Sequence, residues 1–221
     1  HRDARRGQLA LRLVQPHAGG GGLVGADIAG LKAFVEQAHQ RANQLIDAAN
    51  AHDPTPEDGR PAALVYGERM TREAARLVPE ALDVLKIAAR GQHVERWLLP
   101  RGDYPDGKQG YLAWRREQGR RHAVRVAGMM AEAGYGAADQ DRVGVLLRKE
   151  GIKRDVEVQA LEDVICFVFI RHYLNPFAAG RDPTELLDIV TKTARKMSAE
   201  GRARALAEFG LPEPFAGAFR E

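Results

Sequence analysis

Arginine, histidine and carboxylate side chains interrupt apolar helical patterns at four places in this 221-residue chain. Gln92-His93-Val94-Glu95-Arg96-Trp97 closes an apolar stretch, with His93, Arg96 and Trp97 on the face of Ala89. Trp114 precedes five arginines (Arg115, Arg116, Arg120, Arg121, Arg125), and His122 shares a face with Arg115, Gln118, Arg125 and Val126. Lys149-Glu150 ends a helical pattern, and Asp155, Glu157, Gln159, Glu162 and Asp163 lead into an all-apolar run. A guanidinium fork grips phosphate or carboxylate in bidentate fashion, so the arginines can form a local anion site. They can equally form a solvated face, and His93 with Arg96 can simply complement the dipole of a helix end. Asp163 lies on the face of Phe167, Ile170 and Leu174, where a carboxylate needs either a metal ion or an arginine partner.

Other chemistries are excluded by what the sequence lacks. It holds no glycine-rich phosphate loop, no G-x-S-x-G elbow and no H-E-x-x-H. Its single cysteine, Cys166, rules out a disulfide framework and a cysteine-based zinc site, and points to a reducing, cytoplasmic setting. Lys196-Met197-Ser198 resembles the start of the KMSKS loop of class I aminoacyl-tRNA synthetases, but Ala199-Glu200 follow and no HIGH-type partner exists; Ser198 reads better as a helix N-cap. His39 and His52 stand alone.

The elements that must position these residues are helical almost throughout. Asp27 can cap a first helix carrying Ile28, Leu31, Val35, Ala38, Ala42, Leu45, Ile46 and Ala49, which stops at Asp53-Pro54. Further helices are predicted over 61–77, 79–99, 111–133, from Asp139 or Asp141 to Glu150, and over 156–174, 184–197 and 198–209. Val164–Ile170 is apolar on every side and reads as a central buried helix. The predicted architecture is all-α, one domain of about eight helices over 26–221, with no sheet signal.

The net charge of +3 arises wholly within residues 1–22, where Arg2, Arg5, Arg6 and Arg12 face only Asp3. The rest of the chain is neutral, which argues against nucleic acid as a partner. Residues 1–25 read as a disordered Arg- and Gly-rich leader, ending in a glycine linker. No stretch reaches the 18 or so apolar residues of a membrane span. The sequence does not fix the oligomeric state.

Several ordered blocks carry a resemblance. They are Ile46-Asp47-Ala48-Ala49-Asn50 with Asp53-Pro54, Tyr66-Gly67-x-Arg69-Met70, and Ala88-Ala89-Arg90-x-Gln92-His93-x-Glu95-Arg96-Trp97. Pro100-Arg101-x-x-Tyr104-Pro105, Gly110-Tyr111-Leu112-x-Trp114-Arg115, His122-Ala123, Gln159-x-Leu161-Glu162-Asp163-Val164 and Lys192-Thr193-x-x-Lys196-Met197-Ser198 follow in order. Over about residues 30–218 the chain resembles an uncharacterised family, domain of unknown function 4202. That family in turn resembles the HD superfamily of all-α metal-dependent phosphohydrolases.

The second resemblance implies that His93, His122 and Asp163 bind a divalent metal ion, with Glu150 or Glu162 completing the shell. Val94 departs from the pattern, standing where the aspartate of the His-Asp pair belongs, and no first-helix histidine is matched unless His39 or Asp47 and Asn50 substitute. It also implies a catalytic group of His93, His122, Glu150 and Asp163, with a small anionic substrate held by Arg96, Arg101, Tyr104, Trp114 and Arg115. The functional expectation is an HD-like hydrolase of a phosphorylated or otherwise anionic small molecule. The alternatives are a metal-free Arg/His/carboxylate pocket and a non-catalytic interaction module.

Overall fold

A computed structural model describes residues 28–220; the expected leader over 1–25 and the cap at Asp27 lie outside the described residues. The architecture is all-α. Ten α-helices are present among the described residues: α1 Ile28–Asn50, α2 Ala62–Leu77, α3 Asp83–Arg90, α4 Gly107–Glu132, α5 Ala137–Arg148, α6 Val156–Val168, α7 Leu174–Ala178, α8 Pro183–Lys196, α9 Ala199–Glu208 and α10 Phe215–Arg220. The only sheet among them is an antiparallel ladder of two-residue strands, β1 Pro56–Glu57 and β2 Arg60–Pro61. No described helix is long and apolar enough to cross a membrane.

The helix starts follow local chemistry. Asp53 orders the proline-rich turn by accepting from the amides of Thr55 (2.9 Å) and Ala63 (2.8 Å), the second of which lies in the first turn of α2. Asp155 caps α6 through the amides of Glu157 and Val158, and Asp182 caps α8 through those of Thr184 and Glu185. Ser198 Oγ caps α9 by accepting from Gly201 N at 2.8 Å, as its sequence context predicts. Caps of this kind are each worth about 1 kcal/mol.

Two apolar clusters meet at α6. Ile46, Met70, Ile87, Val126, Leu146 and Leu161 centre the first, built from α1 to α6. Phe167, Leu186, Val190, Ala194, Met197 and Ala205 centre the second, built on α6, α8 and α9. Val164 and Val168 face the first and Phe167 the second, which explains why this run is apolar on every side. Beyond Val168 the helix widens into a π turn, Phe169–Tyr173, before α7 resumes.

The largest departure from the predicted helices falls at 79–99. The apolar spacing of Val84, Leu85, Ala88 and Ala89 continues to Val94, yet α3 ends at Arg90 and turns follow. At Gly91 a side-chain Cβ would lie 2.5 Å from Val126 Cγ2, so α4 packs directly on the backbone there. Glu95 then adopts a left-handed conformation (φ 51°), and its amide donates to Asn50 Oδ1 at 3.2 Å. His93 and Arg96 are therefore carried by a tethered turn and a short 3₁₀ segment, Arg96–Leu98.

Candidate functional site

Four helices converge on that turn. Tyr66 of α2 stacks on His93 with ring centroids 3.7 Å apart and planes 12° from parallel. His122 of α4 lies beside His93, at 6.4 Å between centroids and with the rings tilted by 47°. Arg96 lays its guanidinium over the Trp114 ring at 4.6 Å, while Trp114 Nε1 donates to Leu99 O at 2.9 Å and fixes the ring. Arg115, one residue on, lies over Tyr111 and donates to its hydroxyl at 3.3 Å. Lys149, the left-handed residue ending α5, donates to the buried Glu162 of α6 at 2.6 Å.

Electrostatics couple these groups. His93 is held well below the ordinary histidine range, first by loss of solvent and then by the charges of Arg96 and Lys149 and by its neighbour His122. His122 is driven down to about 3, again by burial first and then by Arg96, Arg121 and Lys149. Both imidazoles are neutral at physiological pH, and the buried Nε2 of His122 has no hydrogen-bond partner. Burial alone would raise the Glu162 carboxyl, but Lys149, Lys196 and Arg115 outweigh it and hold it ionised. Burial pushes the Tyr66 hydroxyl up, so it stays protonated.

The charges do not balance. Arg96, Arg115, Lys149 and Lys196 act on this corner against Glu162 alone, and Glu162 is paired with Lys149. Among the described residues no carboxylate forms an ion pair with Arg96, Arg115 or Lys196. Such a corner can receive an anion on two guanidinium groups, with neutral imidazoles beside it as hydrogen-bonding groups.

Of the residues expected from sequence, the structure brings together His93, Arg96, Trp114, Arg115 and His122. Arg101 goes elsewhere: its guanidinium donates to the carbonyls of Tyr104 (2.8 Å) and Pro105 (2.9 Å) and closes its own loop. Tyr104 belongs to that loop, near Arg120. Glu150 is exposed and paired with Arg148 at 2.6 Å. Asp163 accepts from Ser198 N (2.8 Å), Ser198 Oγ (2.5 Å) and Gln159 Nε2 (3.1 Å), so both its oxygens are engaged at the start of α9.

These placements do not assemble the expected divalent-ion shell. Asp163 is turned to Ser198, Glu162 to Lys149 and Glu150 to Arg148. Among the described residues no three His, Cys, Asp or Glu side chains are grouped to hold a metal ion. The donor set therefore does not fit the group that the HD resemblance implies. Sequence reasoning missed Tyr66 and Tyr111 as site residues, although both fall in the resembling blocks, and gave Lys196 no place in the site.

The family described as Domain of unknown function (DUF4202) matches residues 40–217. The chain belongs to this family. The matched span contains every residue of the corner. No curated protein and no solved structure matches.

Proposed function

We propose that this DUF4202 protein binds a small phosphorylated or carboxylated molecule at the His93–His122 corner without a metal ion. The supporting observation is the uncompensated charge: four cations against one carboxylate, with Arg96 and Arg115 free of acidic partners among the described residues and close to two neutral imidazoles. The anion takes the place that a carboxylate side chain occupies at an ordinary buried arginine. Stacking on Trp114 and Tyr111 holds the two guanidinium planes, which lowers the entropy lost when the ligand is gripped.

Titration calorimetry with inorganic phosphate, sulfate and acetate at low salt tests this reading. Binding that weakens about tenfold in Arg96→Ala and in Arg115→Ala, each losing one charge-assisted contact of roughly 1.5–3 kcal/mol, is the expected result. Absence of binding by all three anions, or binding indifferent to both substitutions, overturns it.

Hydrolysis of a phosphate ester is the second reading, favoured by the partnerless, neutral Nε2 of His122. A neutral imidazole can accept a proton from water, and a bound dianion beside it raises its basicity toward the useful range. A phosphatase and phosphodiesterase panel, run with chelator and with added divalent ions, separates turnover from binding alone. Turnover that His122→Gln abolishes supports hydrolysis, and no turnover under either condition removes it.

A further inference from the structure

A cavity of about 580 Å³ opens between α6 and the start of α9, and no residue of the corner described above lines it. Its volume falls within the range of small-molecule sites. Leu77, Val78, Ala160 and Phe167 supply apolar walls, and Val156, 83 % exposed, continues that surface to the rim. An apolar side chain left so open beside a cavity is unusual only in company, and here it extends an existing apolar lining.

The polar lining has a sign. Asp155 is held by Arg142 and Asp163 by Ser198, while Arg204 is paired with Glu208. Lys153 and Arg202 both donate to Met197 O, and the Arg154 side chain has no partner among the described residues, so none of the three meets a carboxylate there. Asp163, bonded only to neutral donors, and Glu200 are the two lining carboxylates without an ion pair among the described residues. Three cations without a carboxylate partner among the described residues thus face two such acids, a surplus of one positive charge. Gln159, also lining the cavity, donates twice through Nε2 and leaves its buried Oε1 without a donor.

We propose that this cavity is a second binding site, for an amphiphile with an anionic head: a medium-chain hydroxy carboxylate. The chain lies on Leu77, Val78, Ala160 and Phe167 and emerges past Val156. The carboxylate meets Arg154, Lys153 and Arg202, and the hydroxyl donates to Gln159 Oε1. Apolar walls alone would accept an uncharged or cationic chain equally well; the surplus of cations selects the anion.

The test uses the described chain and 3-hydroxydecanoate below its micelle concentration, followed by calorimetry. Two comparators dissect the ligand: 3-hydroxybutyrate keeps the head without the chain, and decyltrimethylammonium keeps the chain with the opposite charge. With the His93–His122 corner saturated by inorganic phosphate, the expected result is one further site at which 3-hydroxydecanoate binds at least tenfold more tightly than either comparator. Arg154→Glu, at an exposed side chain that meets no partner among the described residues, weakens it about tenfold, whereas Arg96→Ala leaves it unchanged. No binding of 3-hydroxydecanoate, equal binding of either comparator, or an Arg154→Glu protein of undiminished affinity overturns the proposal. Because Arg96 belongs to the other site, failure here leaves the phosphate reading standing, and the reverse also holds.

Discussion

Two regions of this protein concentrate cations, and they treat them differently. On one side Arg76, Arg171, Arg204 and Arg142 face Glu73, Glu208, Asp155 and Glu157. Four positive charges meet four negative ones, in networks that tie α2 and the π turn to α9, and α5 to the start of α6. At the His93–His122 corner four cations meet only Glu162. The first arrangement is closed and serves the fold. The second leaves guanidinium groups waiting for an acceptor, and a fold has no use for that by itself. Function is read from the imbalance, not from the number of arginines.

Acid should damage the open corner most. The unfolded imidazole takes up a proton near pH 6.5, whereas folded His122 resists until about pH 3. Between those values the unfolded chain binds more protons, so stability is complete above about 6.5 and falls as the pH drops toward 3. Full protonation of this one site corresponds to roughly 5 kcal/mol. Urea denaturation from pH 7 to pH 4 is expected to show that decline, and His122→Gln to flatten it. A wild-type curve already flat in this window would remove the buried neutral histidine from the account. Added phosphate should make the decline shallower only if the anion binds the folded corner, because a bound anion raises the folded pKa toward the unfolded one.

Glu162→Gln comes next in size. It leaves a half-buried Lys149 with three other cations acting on the corner, and loss of one partner of a pair only half closed to water costs about 2–3 kcal/mol, below the roughly 3–5 of a fully buried pair. Lys149→Met removes both the desolvated ammonium and one excess charge, so it should cost distinctly less, despite deleting the same bond. Equal losses in chemical denaturation would mean that the surplus charge is not felt there.

The all-α architecture was legible because apolar spacing and capping residues act over a few neighbours. Ser198 read as a cap and is one, and the run Val164–Ile170 announced a helix buried on all sides. The end of α3 was not legible, since it depends on the contact of Gly91 with Val126, thirty-five positions away. The same limit applies to the site. Glu162 and Asp163 are adjacent acids on one helix, and sequence reasoning favoured Asp163. Which of them meets the cations depends on their angular positions around α6: one faces Lys149 at the end of α5, the other Ser198 at the start of α9. Tyr66 was hidden because an aromatic ring on an amphipathic helix looks like core until the ring beside it proves to be His93.

In the balanced region the expected effects are smaller and opposite in kind. Asp155→Ala loses the α6 cap together with two contacts to Arg142, about 1–2 kcal/mol for a partly exposed group. Thermal denaturation should report this loss with phosphate affinity unchanged.

Arg115→Ala sharpens the comparison from its other end. It removes a cation from a corner that already has too many, and it breaks only the contacts to Tyr111. Stability should therefore change by no more than about 0.5 kcal/mol, in either direction, as for a surface substitution. Phosphate affinity should nevertheless fall about tenfold. The diagnostic quantity is the ratio of the two effects, large in affinity and near zero in stability for Arg115, and reversed for Asp155. If Arg115→Ala instead destabilised the protein as much as Asp155→Ala and left phosphate binding intact, the corner would be a second structural network with its partners placed differently. The charge surplus would then say nothing about a ligand.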